Sequence, residues 1–193
     1  MRIGIPKERR PGETRVAATP ETVKKLVKAG HEVLVEREAG VASDITDAAY
    51  EEAGAQMVDT AGAFGAELVA KVRGPMEEEL PQLKAGSTLL GMLNPYHADG
   101  LARLAATGVT AFALEAAPRT TRAQSLDVLS SQANIAGYKA VLVAANLYQR
   151  FFPMMMTAAG TAKAARVVIL GAGVAGLQAI ATARRLGAVV EAS

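Results

Sequence analysis

The stretch from Val167 to Ser193 limits the possible folds more than any other part of this sequence. Four apolar residues, Val167 to Leu170, lead into the glycine motif Gly171-Ala-Gly-Val-Ala-Gly176, and a helix-like run of small and apolar residues follows. A strand, a tight glycine turn and a helix in this order are typical of a dinucleotide-binding β-α-β unit.

Each glycine of the motif has its own predicted role. Gly171 permits the tight turn, Gly173 lets the backbone approach a pyrophosphate, and Gly176 lets the helix pack closely on the strand. The free N–H groups at the start of the helix then favour the phosphate charge. The predicted cofactor-binding residues of this segment are Gly171, Gly173, Val174, Ala175 and Gly176. The alternative interpretation is a strand–turn–helix in which the small residues serve packing alone.

A dinucleotide site also needs an acidic side chain at the end of the second strand, about 20 residues after the motif, to bind the ribose hydroxyls. Glu191 lies at about this distance, but it comes before the end of the strand-like run "AVVEAS". We therefore do not assign the ribose-binding role to Glu191, and the sequence leaves that acid unidentified.

The first 118 residues alternate between strand-like and helix-like segments. The strand candidates are "RIGIP", "EVLVE", "AELVAKVRGP", "STLLGMLNP" and "VTAFALEA". Helices are predicted to begin after the capping hydroxyls of Thr19 and Thr46 and to end at Gly30 and Gly54. This alternation predicts an α/β fold, with a Rossmann-like parallel sheet in the N-terminal domain.

Three regions are predicted along the chain. Residues 1–118 form the N-terminal Rossmann-like domain, and residues 119–152 form a polar loop and a long linking helix, roughly from Leu129 to Phe152. Residues 153–193 form the first β-α-β of a second Rossmann domain. The run "FFPMMMTAAGTAKAA" is expected to be a connection whose methionines, Met154 to Met156, contribute apolar packing.

Composition excludes several kinds of function. The absence of cysteine excludes disulfides and thiolate metal sites, and a pair of histidines argues against a histidine-based metal site. The net charge of +2 comes from interleaved acids and bases, which argues against nucleic-acid binding. No apolar run approaches the ~20 residues that span a bilayer. We expect a soluble, cytosolic protein without a metal.

Three stretches resemble a known family. "IPKERRPGETRVAATPE", "PRTTRAQSLDVLSSQANIAGYKAV" and "FFPMMMTAAGT" are similar to the N-terminal portion of the NAD(H)-binding alpha subunit of proton-translocating NAD(P) transhydrogenases. The middle stretch is the specific one, because alanine dehydrogenases share the N-terminal pattern and the glycine motif. The resemblance covers essentially the whole chain, and members of the family are about twice as long.

The resemblance implies an activity, a cofactor and partners. The cofactor would be NAD, and the protein would be a homodimer of two-domain subunits. NADH would pass hydride directly to NADP(+) on the NADP(H)-binding beta subunit, with Re/Si specificity, coupled to proton movement through a membrane-spanning component. The chain would be cytoplasmic, held peripherally at the inner or plasma membrane by its partner subunits.

The resemblance also assigns a loop that contacts the nicotinamide. Its residues here are Arg119, Gln124, Asp127 and Ser130, of which Gln124 and Asp127 are the predicted catalytic residues. Hydride transfer between two nicotinamides needs no acid or base, so these side chains would position the rings. The alternative is a surface loop, with Ser130 serving as a helix cap.

Two other functions stay open at this point. In alanine dehydrogenases a basic pair binds the substrate and a histidine is the acid/base; Arg15 and Lys71 match the pair, but Asn94 occupies the place of the histidine. His97 lies three residues away and is expected to face solvent, while Arg15 and Lys71 are either remnants of a substrate site or ion-pairing groups. The third possibility is a non-catalytic dimerisation or docking fragment.

The sequence stops soon after the glycine motif, which suggests a truncated second domain. A two-stranded remnant buries little apolar surface. We therefore expect the 193-residue chain to bind NADH weakly, with residues 167–193 either poorly ordered or sheltered by a neighbouring chain.

Overall fold

The computed structural model describes residues 1–118 and 120–193. It divides into two compact units, Met1–Thr120 and Thr121–Ser193. The domain boundaries predicted after residues 118 and 152 stay predictions. Among the described residues, no helix has the length and apolar character needed to cross a membrane.

The first unit is built on a parallel sheet of six strands in the order β3-β2-β1-β4-β5-β6. The strands are β1 (Arg2–Ile5), β2 (Glu32–Glu36), β3 (Gln56–Val58), β4 (Leu68–Arg73), β5 (Thr88–Met92) and β6 (Thr110–Ala113). The helices are α1 (Pro20–Lys28), α2 (Asp47–Glu52), α3 (Thr60–Phe64) and α4 (Ala98–Ala106). The predicted fold class, an α/β protein with a Rossmann-like parallel sheet, is confirmed.

Local sequence explains where the first two helices begin. The Thr19 side chain accepts a hydrogen bond from the Thr22 N–H, and Pro20 occupies the first helical position, where its missing N–H costs nothing. The Thr46 side chain caps α2 in the same way, through the Ala49 N–H. Both predicted caps are confirmed.

The strand order of the first unit reverses between β1 and β4. In open parallel sheets the carboxyl ends of the strands on either side of such a reversal form the crevice that binds ligands. The segment 6–19, which joins β1 to α1, leaves the sheet at this edge. The cores on either side of the reversal contain Ile5, Val35, Tyr50, Phe64 and Leu89.

The second unit contains two helices and two small sheets. It comprises α5 (Val128–Leu147), an antiparallel hairpin of β7 (Met155–Thr157) and β8 (Gly160–Ala162), then β9 (Arg166–Ile169), α6 (Val174–Arg185) and β10 (Val189–Ala192). Strands β9 and β10 are parallel neighbours. The buried core residues of this unit are Val141, Phe152, Ala165, Ala179 and Ala183.

Several sequence predictions for the connections are wrong in detail. Helix α5 ends at Leu147 rather than near Phe152, since Tyr148 is extended and the residue before Pro153 disfavours helix. The presumed connection after it contains the hairpin β7–β8. Its methionines do not pack within this chain: Met154 is 62% and Met156 81% exposed.

Candidate functional site

The glycine turn between β9 and α6 gives its three glycines three different surroundings. Gly171 has a φ of +101°, a conformation that side chains rarely adopt. Among the described residues, no atom lies within 4 Å of a Cβ placed on Gly173, whereas a Cβ on Gly176 would lie 1.8 Å from the Gly171 carbonyl oxygen. The turn therefore needs glycine at Gly171 for conformation and at Gly176 for packing, while Gly173 leaves an open approach to the backbone.

The N-terminus of α6 offers backbone donors at the same place. Gly173 is the N-cap residue, and within residues 1–118 and 120–193 no side chain caps this helix and no acid lies in its first turn. The first N–H groups of a helix have no partner within the helix and carry partial positive charge. Together with the open approach at Gly173, this end of α6 fits an anionic group such as a pyrophosphate.

Glu191 lies within β10 rather than after it, as the sequence indicated. Its carboxylate forms an ion pair with the Arg166 guanidinium on the neighbouring strand β9. The side chain is therefore engaged along the sheet and does not stand at the strand end where a ribose-binding acid belongs.

The predicted nicotinamide loop lies at the start of α5. Gln124 is exposed in a short 3₁₀ helix, Thr121–Leu126, and Asp127 is the N-cap of α5. Asp127 Oδ1 accepts from the Ser130 N–H at 2.9 Å, and the Ser130 hydroxyl donates to Asp127 Oδ2 at 2.7 Å. The structure thus brings Asp127 and Ser130 together, with Asp127 rather than Ser130 as the cap. Arg119 lies outside the described residues.

Lys71, one member of the basic pair, lies buried in the first unit. Its ammonium contacts Glu79 Oε1 at 3.0 Å and Glu8 Oε2 at 3.6 Å, with all three side chains at most 2% exposed. It also lies 5.6 Å from the centre of the Phe64 ring. Burial raises the pKa of Glu8, and the Lys71 charge only partly opposes this shift. Lys71 is an ion-pairing group in this structure.

Arg15, the second basic residue, is held by an acid two positions before it. Its Nε and Nη2 donate to the two carboxylate oxygens of Glu13, each at 2.7 Å. Glu13 also faces Arg73 Nε, at the end of β4, at 3.6 Å. The Arg15 guanidinium lowers the pKa of Glu13 to about 2. The bidentate pair fixes this part of the segment 6–19 to the edge of the sheet.

Asn94 and His97 occupy the turn after β5. Asn94 has a φ of +54°, and its N–H donates to Glu115 Oε1 at 2.6 Å. His97 is exposed, as expected, and its Nδ1 accepts from the Gly100 N–H at 3.0 Å as the N-cap of α4. An asparagine amide does not transfer protons near neutral pH, and the histidine nearest to it has a capping role.

Family models describe both portions of the chain. The alanine dehydrogenase/PNT N-terminal domain matches residues 4–136, and the corresponding C-terminal domain matches residues 140–193. The chain belongs to the alanine dehydrogenase/PNT family.

Within the alanine dehydrogenase/PNT family, the chain is more similar to transhydrogenase subunits than to alanine dehydrogenases. The first of the separate polypeptides of the NAD(P) transhydrogenase alpha subunit in Rhodospirillum rubrum is 52% identical, and the match covers 100% of this chain and 52% of that polypeptide. The crystal structure of transhydrogenase from Sinorhizobium meliloti is 52% identical with a TM-score of 0.97, covering 100% of this chain and 58% of that one.

Alanine dehydrogenases are more distant relatives. The enzyme of Mycobacterium tuberculosis is 36% identical, and the match covers 98% of this chain and 52% of that enzyme. The chain spans about half the length of the curated relatives it matches. The predicted resemblance to transhydrogenase alpha subunits, with alanine dehydrogenase as the more distant relation, is confirmed.

Sequence reasoning missed the acids that hold the basic pair of this family member. Glu8, Glu13 and Glu79 looked like ordinary surface charges in "PKERRPGE" and "MEEEL". The useful signal was that Glu79 and Glu8 flank, in sequence, the ends of strands predicted to be neighbours. In the portion of the chain that the structure describes, no group of His, Cys, Asp or Glu side chains is arranged to hold a metal ion.

Proposed function

We propose that this chain is the NAD(H)-binding component of a proton-translocating NAD(P) transhydrogenase. The observation that carries the proposal is the turn at Gly173, which is open above the uncapped N-terminus of α6. The similarity to named transhydrogenase alpha subunits supports it. The finer assignments, including Re/Si specificity and coupling to proton movement, rest on that relationship.

The two ends of the candidate site would have different tasks. The backbone from Gly171 to Gly176, with Val174 and Ala175, would hold the pyrophosphate, and Arg119, Gln124, Asp127 and Ser130 would position the nicotinamide. When bound, NADH supplies the hydride. The protein's own contribution is to orient the ring and exclude water, which accounts for the lack of a required acid or base. The Asp127 carboxylate is already oriented by two hydrogen bonds from Ser130.

The partners follow from the same assignment. The Rhodospirillum rubrum relative is named as one portion of one subunit, which implies further components. We propose a homodimer that works with an NADP(H)-binding beta subunit and a membrane-spanning component, at the cytoplasmic side of the membrane. A docking fragment without bound nucleotide is the non-enzymatic alternative, and NADH binding separates the two.

The test combines binding and turnover in the full-length protein. NADH fluorescence titration should give saturable binding, and hydride exchange with an NADP(+) analogue should appear only after the NADP(H)-binding component is added. L-alanine with NAD(+) should give no NADH, because Asn94 offers no acid/base group. Appreciable NADH formation from L-alanine would favour the alanine dehydrogenase reaction, and the absence of NADH binding would contradict both enzymes.

Gln124→Ala tests the positioning role of the loop. We expect hydride transfer to slow by about 10- to 100-fold, since small displacements of the reacting ring are costly. The NADH dissociation constant should change by less than about threefold, because the rest of the dinucleotide provides uniform binding. Gln82→Ala is the matched control, as Gln82 is also exposed in a 3₁₀ helix. Equal losses of rate and affinity would contradict the role.

A further inference from the structure

The long helix α5 touches the glycine turn through Gly137. Gly137 is buried, although the residues on either side of it are exposed. A Cβ added to Gly137 would lie 2.1 Å from the carbonyl oxygen of Ala175, 2.8 Å from its carbonyl carbon and 3.0 Å from its Cα. The neighbour is therefore the backbone of the first turn of α6, and no change of the Ala175 side chain would relieve the contact.

Small residues continue the contact along both helices. Gly137 and Val141 lie one turn apart on α5, and Ala175 and Ala179 lie one turn apart on α6; Val141 and Ala179 belong to the same buried cluster. Rows of residues spaced by four are the ridges through which helices pack. The two helices are thus registered at a fixed point, and Gly137 makes the contact nearest to the glycine motif.

Helix α5 also carries the other end of the candidate site. Asp127 caps its N-terminus and Gln124 precedes it, so about 15 Å of helix separates Asp127 from Gly137. A rigid helix that holds the loop at one end and touches the phosphate-binding turn further along sets the spacing between them. Both ends of the site belong to the second unit.

We propose that Gly137 is a positioning residue, which sets the distance between the phosphate-binding turn and the nicotinamide-contacting loop through its contact with the Ala175 backbone. The inference rests on the proposed function and extends it, because it assigns the spacing of the two half-sites to one glycine. Alanine is the better helix former, so the effect of Gly137→Ala would come from displacement of α6 rather than from weakening of α5.

The test compares two ligands in the full-length protein. NADH reaches both half-sites, whereas ADP-ribose has the pyrophosphate but no nicotinamide. In Gly137→Ala we expect the NADH dissociation constant to rise about tenfold or more, since misplacing one half-site wastes its contacts. ADP-ribose affinity should stay within about twofold, because a single half-site tolerates the displacement. A general loss of structure would weaken both ligands.

Val141→Ala is the control for loosened packing. It removes a buried side chain from the same face of α5 without adding an atom at the crossing. We expect a lower melting temperature and unchanged NADH affinity. An equal loss of NADH affinity in Val141→Ala and Gly137→Ala would overturn the proposal, because loss of packing would then explain both.

Two further outcomes decide the remaining cases. If Gly137→Ala does not fold, Ala179→Val pushes the same helices apart one turn further along, and an unchanged ratio of NADH to ADP-ribose affinity in that variant would overturn the proposal. Unchanged NADH affinity in a folded Gly137→Ala would overturn it directly, while the proposed function stands. If the unsubstituted protein binds neither ligand, the proposed function fails and this inference fails with it.

Discussion

The two units treat the connection between a parallel strand and the next helix in opposite ways. In the first unit, β1 is joined to α1 by the charged segment 6–19, whose acids and bases pair with one another and with the neighbouring strands. In the second unit, β9 is joined to α6 by a short glycine turn without a charge. One connection is closed by side chains, and the other leaves its backbone open.

Glu36 shows how complete the closure is in the first unit. It stands at the end of β2, the position from which an acid binds ribose in a dinucleotide-binding sheet. Here it receives hydrogen bonds from the Arg9 guanidinium, the Thr60 hydroxyl and the Lys7 N–H. Burial alone would raise the pKa of Glu36, but these donors outweigh it and hold the pKa below its usual value. The same sheet topology therefore serves stability in one unit and ligand access in the other.

The largest expected effect breaks the closed connection. Lys71→Met removes the ammonium that lies between Glu8 and Glu79, and both carboxylates stay buried. Removing one partner from a buried ion pair costs about 3–5 kcal/mol of unfolding free energy. Urea denaturation of the variant and the unsubstituted protein measures this loss.

Lys25→Met is the matched control for this substitution. Its exposed ion pair with Glu21, within α1, should contribute nothing measurable. If both lysine variants unfold at the same urea concentration, the buried cluster does not stabilise the first unit.

The sequence predicted the open connection better than the closed one, for a physical reason. The glycine motif acts locally: the conformation of Gly171 and the helix start at Gly173 depend on residues a few positions away. The ion pairs of Lys71 join groups that are far apart in sequence, since Glu8 lies 64 residues from its strand partner Val72. Their pairing follows from the strand order, which periodicity alone does not give.

The same distinction accounts for the local errors. The caps at Thr19 and Thr46 were predictable because a hydroxyl and an N–H a few residues later suffice. The three-residue strand β3 was not predicted, as it is too short to show alternation. Hydrophobicity predicted that Met154 and Met156 pack, but burial depends on which neighbours the chain supplies.

A pair of substitutions sharpens the account of the open connection. Gly176→Ala should destabilise the second unit by about 1–3 kcal/mol, because its Cβ meets the Gly171 carbonyl and the helix must move. Gly173→Ala should cost less than about 1 kcal/mol, since it changes only the N-cap residue.

NADH titration distinguishes the two variants further. Gly173→Ala should weaken NADH binding about tenfold, since its methyl group occupies the approach of the pyrophosphate. If Gly173→Ala binds NADH as well as the unsubstituted protein does, the glycine motif serves packing alone. A Gly176→Ala protein as stable as the unsubstituted one would remove the packing role of the third glycine.

The smallest expected effects concern pH, and they have opposite signs within the closed connection. The hydrogen bonds from Arg15 lower the pKa of Glu13 to about 2, below its value in the unfolded chain. Glu13 therefore stabilises the fold above the unfolded pKa, about 4.3, and this contribution is lost as the pH falls toward 2. Burial raises the pKa of Glu8, so its contribution is present below about 4.3 and is lost as the pH rises through the raised folded pKa.

Urea denaturation between pH 2 and pH 8, with Glu13→Gln and Glu8→Gln beside the unsubstituted protein, measures both contributions. Glu13→Gln should be less stable at neutral pH, and the difference should shrink as the pH falls below about 4, because the native carboxyl is then losing its own advantage. Glu8→Gln should be as stable at neutral pH or more so, since a neutral amide can still accept from the Val72 N–H while Lys71 keeps Glu79. Its disadvantage, if any, should appear only in acid, where the native Glu8 carboxyl is neutral. Differences of the same sign and the same pH dependence in the two variants would show that the two acids share one environment, and that burial does not separate Glu8 from Glu13.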